Sequence, residues 1–145
     1  MFQKRILTLT IILLSLYIFT SCTGKNNEYI SSAKEFNKIY FKTVKSIDTA
    51  DITKSIEQLQ TKENSENLKE MNELLTNIME DVPKGKDLIL ENFQQRYNDL
   101  KFISDSYSKK NKLSIDDKLE IDRILTSIDI NISNWDDKSS NINWQ

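Results

Sequence analysis

Apolar residues in this chain fall into two kinds of run. Residues 6–19 (ILTLTIILLSLYIF) are apolar on every side and carry no charge. Further on, apolar residues return every three or four positions among polar ones, the spacing that lines one face of a helix. Ala33, Phe36, Tyr40, Val44 and Ile47 form the first such stripe. Ser32-Ala33-Lys34-Glu35 has the form of a capping box, so a helix is predicted from about Ser32. Residues 48–51 read as a turn, with Asp51 the N-cap of the next segment.

Ile52, Ile56 and Leu59 continue the helical spacing as far as a polar patch at 60–67 (QTKENSEN). The stripe resumes at Leu68, Met71, Leu75, Ile78 and Val82. One rod over 51–82 would be about 48 Å long, longer than any partner in this chain. A break, kink or exposed stretch is therefore expected near 61–66, leaving open whether 51–82 is one helix or two. Pro83-Lys84-Gly85 ends the segment, because proline lacks an amide and disfavours helix in the residue before it.

A third long segment, 87–108, carries Leu90, Phe93, Tyr97, Leu100 and Tyr107, widened by Ile89 and Ile103. Ser114 opens the last helix, with Asp116 and Asp117 in its first turn. Its apolar face is Leu119, Ile121, Leu125, Ile128, Ile132 and Trp135. Ile128, Ile130 and Ile132 also alternate as a strand would, but no second alternating run could pair with them, so helix is expected. The predicted fold class is all-α: a small antiparallel bundle of about four helices over 31–135, with a polar tail at 136–145.

The first run has a different character. Lys4 and Arg5 precede it, and Thr20-Ser21-Cys22 follows, the order of parts in a secretory signal. It falls short of the roughly 20 apolar residues a membrane span needs, and it contains Thr8, Thr10 and Ser15. Cys22 is the only cysteine. Phe19-Thr20-Ser21-Cys22 resembles the lipobox of bacterial lipoproteins, with Phe19 where leucine is usual. The resemblance covers residues 1–22 only. It implies a diacylglycerol on the Cys22 thiol, cleavage just before it, and a mature protein that begins there. Residues 1–21 would then be the signal peptide and 22–30 the lipidated cysteine with a polar tether. The membrane becomes a partner through the lipid, and the location implied is extracytoplasmic, on the cell membrane or outer membrane.

Composition narrows the function classes. Losing residues 1–21 removes Lys4 and Arg5 and no acid, so the formal charge moves from −2 to −4 over the remaining 124 residues. That length suits one domain, and the charge gives no basic face for nucleic acid. With no histidine, the usual near-neutral acid–base group and commonest metal ligand are missing. A single cysteine allows no disulfide within the chain, so stability rests on packing.

No catalytic or metal constellation emerges. Asp129, Asn131 and Ser133 imitate half of a calcium loop, but its glycine and final acid are replaced by Asn134 and Ser140. Asp116-Asp117 and Asp136-Asp137 are neighbours whose side chains diverge on a helix. There is no G-x-S-x-G turn and no glycine-rich phosphate loop. The sequence therefore points to no enzyme, no cofactor and no metal. Phe36, Tyr40, Phe93, Tyr97 and Tyr107 lie on the stripes as core; Tyr29, Phe41, Phe102 and Trp144 fall off them. Trp144, alone in a polar tail, is the candidate contact for a protein partner. The function expected is a membrane-anchored envelope lipoprotein that works by binding. The alternative is a carrier enclosing a hydrophobic molecule between its helices, which would need a cavity of about 300 Å³ or more.

Overall fold

The computed structural model describes residues 28–106 and 113–134. Within them the chain is all-helical, with five helices and no strand. They are α1 (28–44), α2 (Ile52–Leu59), α3 (Lys62–Asp81), α4 (Asp87–Ser106) and α5 (Ile115–Asn134). The segments 1–21 and 136–145, with Cys22, Tyr107, Trp135 and Trp144, lie outside the described residues.

α1 is under way by residue 28, so Ser32 lies inside it and residues 28–30 are helix rather than tether. The reason is Tyr29. It stands four residues before Ala33 and seven before Phe36, which makes it the first member of the stripe, and it is buried with them. Ile39 and Val44 extend this face, and Ile47 follows in the turn. The turn beyond is closed by Ser46, whose amide and hydroxyl both donate to the Thr43 carbonyl, at 3.1 and 2.7 Å. Asp51 caps α2 as expected, accepting from the Lys54 amide at 3.1 Å.

Residues 51–82 form two helices, and the interruption is tighter than the polar patch suggested. α2 stops at Gln60, and Thr61 caps α3 by accepting from the Asn64 amide. α3 then runs straight through the polar patch. It can do so because Asn64 and Asn67 are buried with partners: Asn64 Nδ2 donates to Ser46 Oγ at 2.9 Å and to the Gln58 carbonyl at 2.8 Å, and Asn67 Nδ2 donates to Thr43 Oγ1 at 3.1 Å. Buried amides supplied with partners avoid the cost of desolvation. Met71, Leu75 and Ile78 complete the inner face of α3.

Val82 leaves helical geometry ahead of Pro83, with φ −59° and ψ 128°. Gly85, at φ +83°, makes the turn in a region closed to most side chains. α5 begins with a reciprocal cap: the Asp117 amide donates to Ser114 Oγ at 3.0 Å, and the Ser114 amide to the Asp117 carboxylate at 3.3 Å. Ile128 is buried, Ile132 half-buried and Ile130 exposed, so the alternating isoleucines are helical.

The core collects these faces. Phe36 and Phe93 meet edge to face at 5.0 Å, joining α1 to α4. α4 adds Leu100 and Ile103, and α5 adds Ile121, Ile124, Leu125 and Ile128. α2 packs against α4, α5 and α3 with Ile56 and Leu59 buried, and Gln60 Nε2 donates to the Ser104 carbonyl at 2.9 Å. Thr49, in the turn after α1, reaches Asp129 of α5 at 3.3 Å.

Candidate functional site

Two features stand out from the packing. The first is a line of apolar side chains on the outside of α5. Ile115 is 77% exposed, Leu119 65% and Ile130 54%. Leu119 was expected in the core, and helix geometry explains why it is not. It lies two residues from Ile121, about 200° around the axis, so the two cannot face the same way. Ile121, Leu125 and Ile128, joined by Ile124, take the inner face. Ile115, Leu119 and Ile130 share the opposite one, with Asp122, Arg123 and Thr126 among them. Ile124 was missing from the expected core, although its spacing of three from Ile121 and four from Ile128 carries the signal.

The second feature is Arg96, half-buried between α4 and α1. Its Nη1 donates to Asn37 Oδ1 at 2.6 Å, and its guanidinium carbon lies 5.1 Å from the Tyr40 ring centroid and 6.0 Å from that of Phe41. The two rings meet edge to face at 5.2 Å. Phe41, which falls off the apolar stripe, is thereby half of an aromatic seat for a cation. Burial pulls the Arg96 pKa down, partly offset by Tyr40. Burial also pushes the Tyr40 phenol up, with Arg96 opposing and Asp99 reinforcing.

Asp99, one turn beyond Arg96, is half-buried. Burial raises its carboxyl; the hydrogen bond from Gln95 Nε2, at 2.6 Å, and the charge of Arg123 oppose this, while Glu120 adds to it. Arg123 is itself held by Glu120 through two bonds of 3.0 and 2.6 Å. The cluster thus spans three helices: Asn37, Tyr40 and Phe41 on α1, Arg96 and Asp99 on α4, Glu120 and Arg123 on α5. Its chemistry is the seating and pairing of charge.

Among the described residues no three His, Cys, Asp or Glu side chains stand close enough to hold a metal ion. No described helix is long and apolar enough to cross a membrane. The structure brings neither Cys22 nor Trp144 to either feature, since both lie outside the described residues. Comparison with protein families, characterised proteins and solved structures finds no match for this chain.

Proposed function

We propose that this protein is an envelope lipoprotein, held outside the cytoplasm by acyl chains on Cys22, whose helical bundle works by binding another protein. The observation that carries the binding half is the outer face of α5, where three large apolar residues are more than half exposed along one side of a 20-residue helix. Scattered exposed apolar residues are ordinary, whereas these share one side of the helix, Ile115 and Leu119 one turn apart and Ile130 about 16 Å further along, a face on which a partner can dock. The polar residues Asp122, Arg123 and Thr126 between the anchors give such a contact its orientation. Trp144 remains the second contact proposed for the partner.

The anchor half rests on the basic pair, the apolar run and the lone cysteine. Two or more acyl chains hold a protein firmly, since each buried CH₂ contributes about 0.8 kcal/mol. Both halves are tested in cells with the intact protein. A palmitate analogue should label wild type and leave the Cys22→Ser variant unmarked; an unmarked wild type overturns the anchor. Crosslinking through a photoreactive residue at position 126 should yield one defined adduct that Leu119→Glu abolishes. An adduct indifferent to Leu119→Glu, or no adduct, overturns the α5 face as the binding surface.

A further inference from the structure

We infer that the turn between α3 and α4 rests on the membrane surface, with Leu88 inserted at the boundary between headgroups and acyl chains of a neutral bilayer. This rests on the lipid anchor proposed above and deepens it. Two sets of contacts place the turn. Along α1 and α3, Thr43 meets Asn67 and Ser46 meets Asn64, so later residues of one face earlier residues of the other. Continued toward the start of α1, that relation sets residue 28 level with Val82. Along α1 and α4, Phe36 meets Phe93 and Asn37 meets Arg96, and the same extension sets residue 28 level with residues 85–87. Both lines bring the start of α1 and the 82–88 turn to one end of the fold.

That end is the one the anchor holds. Residue 28 lies six positions beyond Cys22, with five residues between them, a reach of at most about 20 Å. Leu88 is 81% exposed, the most exposed large apolar residue among those described, and it lies in the first turn of α4. Helical side chains lean toward the N-terminus of their helix, so Leu88 projects toward this end rather than away from it. Gly85 forms the tip, and Pro83 and Val82 flank it half-buried. Lys84 and Lys86 stand beside acids at Glu80, Asp81, Asp87 and Glu91, so the local charge is acidic. That balance selects a zwitterionic surface over an anionic one: apolar insertion carries the contact, and the two ammonium groups meet lipid phosphates.

The test uses the full lipidated protein in phosphatidylcholine vesicles. A fluorophore is placed on Leu88→Cys or, as a control, on Lys62→Cys at the other end of α3; acylation keeps Cys22 from reacting. Brominated acyl chains should quench the label at 88 several-fold more than the label at 62, with no further gain when phosphatidylglycerol is added. If the protein floats with the vesicles but the two labels are quenched alike, the docking is wrong while the anchor stands. If quenching at 88 rises with phosphatidylglycerol, the assignment to a neutral surface is wrong. If the wild-type protein does not float, the anchor fails and the docking with it. Leu88 is too exposed for its replacement to unfold the domain, and an unchanged circular dichroism spectrum verifies this.

Discussion

Arg96 of α4 lies 5.1 Å from the ring centroid of Tyr40 on α1. The same guanidinium donates to Asn37 one turn earlier, so a single side chain clamps two points of α1 to α4. Planarity makes this possible, because the guanidinium stacks with its face while donating from its edge. Arg96→Lys keeps the charge and loses both geometries. Unfolding of the protein in urea should show a loss of about 1–3 kcal/mol. Tyr40→Phe retains the ring and should cost less than about 1 kcal/mol. A lysine variant as stable as wild type would refute the clamp.

Thr43 and Asn67 form the most deeply enclosed polar contact between α1 and α3, with Asn64 beside them at 3.3 Å from Asn67. Asn67→Ala strands the Thr43 hydroxyl, which is 0% exposed, and should cost about 1–3 kcal/mol. Thr43→Val together with Asn67→Leu removes both polar partners and should cost less than the two single changes added together. A double-mutant cycle measures that coupling; additive losses would show that the contact holds nothing.

The Tyr29 hydroxyl is buried with no hydrogen-bond partner among the described residues, although the side chain is only 2% exposed. A buried polar group left unpaired is a standing cost. Tyr29→Phe keeps the ring and removes that cost, so the urea midpoint should rise, by up to about 1 kcal/mol in stability. A clear fall would mean that the hydroxyl has a partner.

The two faces of α5 give opposite expectations for similar residues. Leu119 stands 65% exposed, and Leu119→Glu should change stability by less than about 0.5 kcal/mol. Leu125 is 1% exposed on the inner face, and Leu125→Ala should cost about 2–5 kcal/mol. Urea unfolding of the two variants checks the pair, and comparable losses would mean the helix is turned from the orientation described.

These cases mark what could be read from spacing alone. The stripes on α3 and α4 and the caps at Asp51 and Ser114 were legible because each depends on residues within one turn. The two faces of α5 were separable by the same spacing, since Ile124, Leu125 and Ile128 follow Ile121 at helical steps, and grouping Leu119 with them overlooked the roughly 200° between positions 119 and 121. The polar patch misled in another way. Asn64 and Asn67 look like solvent-facing residues until Thr43, Ser46 and the Gln58 carbonyl are brought to them from other elements. Arg96 was invisible for the same reason, because its seat is built by another helix 59 residues away. The chemistry proposed for the N-terminus stands apart, legible as a pattern of residues that needs no fold.

Asp99 supplies the clearest pH test. Burial raises its carboxyl pKa above the ordinary range for aspartate, and Glu120 adds to the effect. An acid that holds its proton more tightly when folded lowers stability above its folded pKa, and the penalty disappears once pH falls below the unfolded value. Asp99→Asn removes this penalty while leaving an oxygen to accept from Gln95. The variant should therefore be more stable than wild type at neutral pH, and the difference should shrink toward zero as pH falls to about 4 and below. Three other acids move the opposite way. Asp51 is lowered chiefly by the Lys54 amide, Glu63 by its bond from Lys42 and Glu120 by its bond from Arg123. The losses at Asp51 and Glu63 on acidification occur in both proteins and cancel in the comparison, while the repulsion between Glu120 and Asp99 belongs to the penalty that Asp99→Asn removes. Urea midpoints of wild type and Asp99→Asn across this range decide the matter, and a gap that stays constant or widens on acidification would show that Asp99 is not held in a raised state.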